Sequence, residues 1–183
     1  MIVLFLANGT EEIEALAPVD LLRRAGVEVT MVGVGGRQIT GSHGIAVECD
    51  CADSEWTIPD RMQGVVLPGG MPGTRNLDAC PAVQEALDYA CSHGLLLAAI
   101  CAAPLILGRR GLLQGKRAVC YPGFEEELQG ATLCTDPVCC DGKVITARGA
   151  GAAVAFALEL VAALCGRERA RELAGEIQCE SWT

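Results

Sequence analysis

The sequence has little positive charge, and it lacks any long apolar run. Its 14 Lys and Arg residues are outnumbered by 23 Asp and Glu residues, which gives a net charge of −9. Because phosphate contacts need a basic face, this charge disfavours nucleic acid and anionic membranes as partners. No apolar stretch approaches the roughly 20 residues of a transmembrane helix, and the opening run, Ile2–Ala7, is too short for a signal peptide. We therefore expect a soluble, cytoplasmic protein that binds neither nucleic acid nor membrane.

Histidine is scarce, and the cysteines lack the spacing of a zinc site. The chain has 2 histidines and 11 cysteines but no Cys-x-x-Cys pair; the nearest are Cys49-x-Cys51 and the adjacent Cys139 and Cys140. Neither spacing is typical of zinc fingers, so we expect no metal and no other cofactor. A disulfide scaffold is also disfavoured, because 183 residues that are 51% hydrophobic can fill a core without cross-links. Most of the cysteines are interpreted as small apolar residues or surface thiols.

Short apolar runs alternate with helical stretches along the whole chain. Core strands are predicted at residues 2–7, 27–34, 64–67 and 95–100, with later strands at 117–120 and 143–147. Helices are predicted at residues 15–24, 81–92, from the turn after 101 to about 109, 152–165 and 167–174. Residues 35–51 and 132–145 are predicted to form hairpins. This alternation predicts one α/β domain over residues 1–183, with a doubly wound, mostly parallel sheet and helices on both faces.

The apolar run 95–100 leads directly into Cys101, two alanines and Pro104. Proline is tolerated in the first turn of a helix, so Cys101 is predicted at a strand-to-helix turn. There, unpaired backbone N–H groups and the helix dipole stabilise a thiolate, and the same geometry presents the nucleophile of α/β-hydrolases. The alternative is a buried core cysteine, the commonest environment for this residue type. The position at the turn favours a nucleophile.

Small and polar residues follow several other predicted strands. In such sheets ligands bind at the carboxyl ends of the strands, so these residues should meet Cys101 in one pocket. They are residues 8–14, Gly69, Gly70, Tyr121, Arg148 and Gly149. The unhindered amides of Gly69 and Gly70, together with the amide of Ala102, would suit an oxyanion hole. The alternative for the glycine pair is an ordinary turn.

A carboxyl group in this pocket could hydrogen-bond the Cys101 sulfur and act as an acid or a base. Glu11 and Glu14 lie on nearly the same helix face at about 3.6 residues per turn, with Glu12 about 100° around from Glu11. The spacing therefore leaves open which of Glu11 and Glu14 takes this role. A solvent-exposed helix face is the alternative for both residues.

Four stretches together resemble the ThiJ/PfpI superfamily. They are residues 98–104 (AAICAAP), 8–26 (NGTEEIEALAPVDLLRRAG), 67–70 (LPGG) and 146–151 (TARGAG). The match spans nearly the whole chain in order and spacing, and it is nearest the branch that contains the Parkinson's-disease-linked protein deglycase. The resemblance implies a flavodoxin-like α/β fold, related to glutamine amidotransferases, and a homodimer.

The resemblance also implies roles for individual residues. Cys101 would be the reactive, oxidation-prone cysteine, and Glu14 would be the carboxyl partner that hydrogen-bonds it. Gly69, Gly70 and Ala102 would form the oxyanion pocket. The implied activities are glyoxalase action on methylglyoxal and deglycation of early glycation adducts, so the partner is a small carbonyl compound or a glycated adduct. The alternative is an oxidative-stress sensor or chaperone in which Cys101 is oxidised.

The chain departs from the patterns of the superfamily at two positions. Tyr121 stands before Pro122 where the deglycase branch often has histidine, and tyrosine is a poor base near neutral pH. Tyr121 is therefore kept as a candidate substrate-binding residue. Ala102 follows the nucleophile where the protease-like branch has histidine, and neither histidine of the chain lies in a triad position, so peptidase activity is disfavoured. A glutamine amidotransferase would need a His-x-Glu motif after Cys101, and none is present.

Overall fold

A seven-stranded sheet forms the centre of the structure, a computed structural model that describes residues 1–179 and residue 182. The strands in chain order are β1 (Ile2–Ala7), β2 (Val29–Val34), β3 (Gln38–Thr40), β4 (Ala46–Glu48), β5 (Cys51–Ala52), β6 (Gly64–Leu67), β7 (Leu96–Ile100), β8 (Arg117–Ala118), β9 (Thr132–Leu133), β10 (Val138–Asp141) and β11 (Val144–Ala147). The central sheet has the order β10-β11-β7-β6-β1-β2-β5. All of its neighbouring pairs are parallel except β10 with β11, which confirms the predicted mostly parallel sheet.

Helices cover both faces of this sheet. They are α1 (Glu12–Arg24), α2 (Gly73–Asp78), α3 (Pro81–Ser92), α4 (Pro104–Arg109), α5 (Ala153–Cys165) and α6 (Arg167–Glu176). Buried side chains from α1, α5 and α6 form one apolar cluster, and those from α2, α3 and α4 form a second one. None of the described helices combines the length and the apolar character needed to cross a membrane.

Strand β1 joins the two layers because it is buried on both of its faces. Its even-numbered residues, such as Leu4, belong to the cluster under α1 and α5, and its odd-numbered residues, such as Phe5, belong to the other cluster. Successive side chains of a strand point to opposite faces, so a strand between two helical layers must be apolar throughout. All six residues of β1 are buried, as the continuous apolar run predicted.

The structure also contains elements that the sequence patterns did not predict. Helix α2 was missed because its segment, GTRNLD, has no apolar periodicity, and β5 and β9 are only two residues long. Strand β9 pairs in parallel with β8 and takes no part in the hairpin, which consists of β10 and β11 alone. The predicted hairpin in residues 35–51 is confirmed as the antiparallel pair β3–β4.

Candidate active site

Cys101 lies immediately after β7, three residues before α4 begins at Pro104. Its φ of 64° lies in the left-handed region, which non-glycine residues rarely adopt. Two backbone hydrogen bonds of 2.8 Å hold this conformation: the Cys101 N–H donates to the Ala147 carbonyl, and the Cys101 carbonyl accepts from the Tyr121 N–H. The predicted strand-to-helix turn is therefore present, and neighbouring segments on the same edge of the sheet fix it.

Glu14 reaches this turn from α1. Its side chain is 1% exposed, and Oε2 accepts a 2.9 Å hydrogen bond from the Gly69 amide. The same carboxyl interacts with the Cys101 side chain. Glu11, the other candidate, instead accepts a hydrogen bond from the Ser42 hydroxyl at 3.1 Å. Of the two carboxyl groups that helical spacing could not distinguish, Glu14 is therefore the one that lies beside Cys101.

Gly69 is the residue that lets Glu14 and Cys101 approach each other. A Cβ atom on Gly69 would lie 2.6 Å from the Cys101 Cβ and 2.7 Å from the Glu14 Oε2, which is closer than such atoms can pack. Its amide is already bonded to Glu14, so Gly69 is not the free oxyanion donor that we predicted. The amides of Gly70 and Ala102 do point at the Cys101 side chain.

The protonation equilibria of the site differ from the sequence-based expectation. Burial raises the pKa of Glu14 to about 7, against the lowering effect of its hydrogen bonds with Cys101 and Gly69. Burial and the Glu14 carboxylate raise the pKa of Cys101 to about 12, although the amides of Gly70 and Ala102 act in the other direction. The expected stabilised thiolate is therefore wrong for the resting site, because a carboxylate and an apolar environment outweigh the amides. Burial therefore favours the neutral form of both groups, the Cys101 thiol and the Glu14 carboxylic acid.

A cavity of about 540 Å³ lies near this pair, and its lining does not include Cys101 or Glu14 themselves. It is lined by Tyr121, Pro122, Pro137, Arg148 and the segment from Gly149 to Ala152. Gly149 lies between the cavity and Glu14. A Cβ atom added to Gly149 would lie 3.3 Å from the Tyr121 ring and 3.9 Å from the Glu14 Oε1. Tyr121 is 50% exposed and therefore lies at the entrance.

Sequence reasoning missed some of the residues that line this cavity. Arg148 was noted only because it follows a strand, and the structure places it directly after β11 as a cationic wall of the cavity. Pro137 and the segment from Ala150 to Ala152 were not identified. No local pattern marks Pro137, because the fold of the β10–β11 hairpin brings it to the cavity.

One group of side chains in the described part of the chain has the spacing of metal ligands. The ligand atoms of Glu11, Glu12 and His43 lie within 4.8 Å of one another. These atoms are already paired, since the His43 Nδ1 lies 3.0 Å from Glu12 Oε2 and 3.2 Å from Glu11 Oε2. The cluster therefore has a structural explanation: its hydrogen bonds attach the start of α1 to the loop of the β3–β4 hairpin.

The sequence and the fold are both similar to those of known proteins. Residues 1–163 match the model of the DJ-1/PfpI family. Protein dj-1beta of Drosophila melanogaster is 37% identical over 172 residues, which cover 92% of this chain and 91% of the relative. The structure of oxidised DJ-1 from Toxoplasma gondii superposes with a TM-score of 0.88 at 33% identity and covers 97% of each chain.

Two further relatives differ in length or in the activity that they are named for. Protein DJ-1 homolog B of Arabidopsis thaliana is 39% identical over 94% of this chain, but the chain spans only 40% of that relative's length. The glutathione-independent glyoxalase DJR-1.2 of Caenorhabditis elegans is 29% identical over 94% of this chain and 92% of its own. The match over residues 1–163 and the similarity to dj-1beta together establish that the chain belongs to the DJ-1/PfpI family.

Proposed function

We propose that the chain is a cysteine-dependent enzyme that converts 2-oxoaldehydes such as methylglyoxal into 2-hydroxy acids and also acts on early glycation adducts. The observation that carries this proposal is the contact of the Cys101 thiol with a buried carboxyl group, Glu14, whose pKa is about 7. A general base is most effective when its pKa lies near the working pH. A family member named as a glutathione-independent glyoxalase gives further support.

The first step is addition of the Cys101 sulfur to the aldehyde carbon of the substrate. Ionised Glu14 takes the thiol proton as the sulfur–carbon bond forms. A free thiolate, which the raised pKa of the Cys101 thiol disfavours, therefore does not have to accumulate. The aldehyde oxygen gains negative charge and then receives this proton, which gives a hemithioacetal. The amides of Gly70 and Ala102, which point at the sulfur, lie where they can donate to that oxygen.

The second step moves a proton between the two substrate carbons. Glu14 removes the hydrogen from the hemithioacetal carbon as a proton and passes it to the ketone oxygen, which gives an enediol. Glu14 then takes the hydroxyl proton from the sulfur-bearing carbon and delivers a proton to the neighbouring carbon, which gives a thioester of a 2-hydroxy acid on Cys101. Water then hydrolyses the thioester, which releases the hydroxy acid and restores the thiol.

The cavity near the pair matches the chemistry of such substrates. Its volume of about 540 Å³ accommodates a three-carbon carbonyl compound or a larger glycated adduct. Arg148 provides a positive charge in its wall, which favours the carboxylate product, and the Tyr121 hydroxyl can donate a hydrogen bond to a substrate oxygen.

Lactate formation from methylglyoxal without added thiol tests the proposal. The native protein should produce lactate, and Cys101→Ser should reduce the rate at least about a hundredfold. Cys80→Ser is the matched control, because Cys80 is also a buried thiol with a raised pKa but lies at the start of α3. The proposal fails if the native protein shows no turnover, or if Cys80→Ser loses as much activity as Cys101→Ser.

A second candidate function is an oxidation sensor, and the oxidised Toxoplasma relative favours it. A sulfinate on Cys101 could accept hydrogen bonds from the Gly70 and Ala102 amides and from protonated Glu14. Stepwise peroxide treatment followed by intact mass measurement tests this function. A single stable product with two added oxygens on Cys101, together with no methylglyoxal turnover, would favour the sensor over the enzyme.

We also propose that the chain forms a homodimer through α1 and the β3–β4 hairpin. Ile13, Leu16 and Ile45 are large apolar residues that are 56%, 37% and 55% exposed. Ile45 lies next to α1, since its amide donates to Glu12 at 3.4 Å. Light scattering after gel filtration should give twice the chain mass for the native protein and the chain mass for Ile13→Glu. Leu133→Glu, at a residue 52% exposed outside this surface, should remain dimeric; a native monomer would refute the dimer.

A further inference from the structure

Two thiols outside the Cys101 site lie almost within bonding distance of each other. The Sγ atoms of Cys134 and Cys139, five positions apart in the chain, are separated by 2.6 Å. Cys134 follows β9 and is partly exposed, whereas Cys139 lies in β10 and is 2% exposed. A covalent S–S bond is about 2.05 Å long, so a small shift of either side chain would join them.

The surroundings give the two thiols different roles. The Arg117 guanidinium interacts with the Cys134 sulfur, an interaction that raises the pKa of Arg117. Because Cys134 is partly exposed and Cys139 is buried, an oxidant in solution reaches the Cys134 sulfur first. Cys139 is the opposite case, because burial and the neighbouring Cys134 raise its pKa to about 12.

We propose that Cys134 and Cys139 form a reversible disulfide when the protein meets a hydroperoxide, independently of Cys101. The Cys134 sulfur attacks the outer peroxide oxygen and its thiol proton passes to the leaving oxygen, which gives a sulfenic acid and releases the alcohol, or water when the oxidant is hydrogen peroxide. The Cys139 sulfur then attacks the Cys134 sulfur and displaces water. Two thiols are thereby oxidised, the peroxide is reduced, and a small thiol can reverse the reaction by disulfide exchange.

The segment between the two cysteines is part of the cavity wall. Pro137 lines the cavity, and its carbonyl accepts a 2.9 Å hydrogen bond from the Arg148 amide. The Arg148 guanidinium also donates to the Thr135 carbonyl. A bond between Cys134 and Cys139 would close this segment into a short ring and hold Arg148 in place. Oxidation of the pair would therefore stiffen the wall of the cavity near Cys101.

Cleavage between the two cysteines gives a direct test of the cross-link. A protease that cuts before aspartate separates Cys134 from Cys139 at Asp136, so the two fragments stay together only through a disulfide. The native protein, and Cys101→Ser protein in which Cys101 cannot compete for oxidant, should both show the linked fragments after treatment with one equivalent of hydrogen peroxide. A thiol reductant should separate them.

Single variants identify the partners. Cys134→Ser and Cys139→Ser should lower the yield of linked fragments at least about tenfold. Cys140→Ser is the matched control, because Cys140 is on the same fragment as Cys139 but its sulfur lies 3.6 Å from Glu159, and this variant should leave the yield unchanged. A yield that survives in Cys139→Ser and disappears in Cys140→Ser would overturn the assignment, and so would the absence of linked fragments from native protein.

Amide hydrogen exchange tests the effect on the cavity. Exchange of the Arg148 amide, which is bonded to Pro137, should be at least about tenfold slower in the oxidised than in the reduced protein. The difference should persist in Cys140→Ser and disappear in Cys139→Ser. Equal exchange at Arg148 in linked and reduced native protein would show that the disulfide forms without stiffening the wall.

Discussion

The Glu14 carboxylate accepts a 2.9 Å hydrogen bond from the Gly69 amide, 55 positions further along the chain. This bond joins the first turns of α1 to the segment that follows β6, at the edge of the sheet where Cys101 also lies. The amide stabilises the ionised carboxylate, while burial favours the neutral acid, and burial has the larger effect on the pKa. The pKa of Glu14 is thereby raised to about 7, as its proposed role as a general base requires.

Glu14→Gln should remove the general base without removing the side chain's volume. Turnover of methylglyoxal should fall by about 10²–10⁴-fold, the typical contribution of general acid–base catalysis. In native protein the rate should rise with pH through about 7, as Glu14 ionises, and this rise should be absent in the variant. Rate–pH profiles of both proteins check the prediction. Glu11→Gln is the control, and a loss of the same size in that variant would contradict the role of Glu14.

The nucleophile turn could be predicted from the sequence because its determinants are local. The apolar run before Cys101 and the proline three residues after it define the end of a strand and the start of a helix within one short segment. The burial of all six residues of β1 is likewise a consequence of its own apolar composition.

The partners of Cys101 could not be derived from local pattern. Helical spacing placed Glu11 and Glu14 on nearly the same face, but α1 begins only at Glu12. The fold decides between the two carboxyl groups, because Glu14 bonds to Gly69 and Glu11 bonds to Ser42. The raised pKa of Cys101 also depends on tertiary structure, because it results from burial and from the Glu14 carboxylate. Pro137 reaches the cavity only through the β10–β11 pairing.

Gly69→Ala should disrupt the site more than a methyl group would elsewhere. The added carbon would lie 2.6 Å from the Cys101 Cβ and 2.9 Å from the Ile100 carbonyl, so the carboxyl and thiol must separate. We expect kcat/KM for methylglyoxal to fall at least about a hundredfold, and the free energy of unfolding to fall by about 1–3 kcal/mol. Gly175→Ala in α6, where no atom of the described residues outside the helix's own backbone lies within 4 Å of the new carbon, should keep full activity. Native activity in Gly69→Ala would refute the close approach.

Glu14 should make the protein less stable as the pH rises from about 4.5 to 7. Its pKa is raised from 4.5 to about 7, so over this interval the folded protein keeps a proton that the unfolded chain has released. Its contribution is fully present below pH 4.5 and is lost as the pH passes 7, by up to about 3 kcal/mol. Denaturant unfolding at pH 4.5 and pH 8 should show this loss in the native protein relative to Glu14→Gln. A difference between the two proteins that is independent of pH would contradict the raised pKa.

Glu12 should have the opposite dependence on pH. Burial would raise its pKa, but hydrogen bonds from backbone amides and the His43 side chain outweigh burial and lower the pKa to about 2. Its stabilising effect is therefore present above pH 4.5 and is lost as the pH falls through about 2.

Glu12→Gln tests this effect and the attachment of the β3–β4 hairpin to α1. The Glu12 carboxylate accepts from the His43 amide at 2.8 Å and lies 3.0 Å from the His43 Nδ1, so the variant should lose about 1–3 kcal/mol of unfolding free energy at pH 7. Glu85→Gln, on the exposed face of α3, should change the stability by less than about 0.5 kcal/mol. Denaturant unfolding from pH 7 to pH 2 should show that the difference in unfolding free energy between the native protein and Glu12→Gln becomes smaller as native Glu12 is protonated. If that difference stays constant down to pH 2, the carboxylate's charge is not what holds the hairpin.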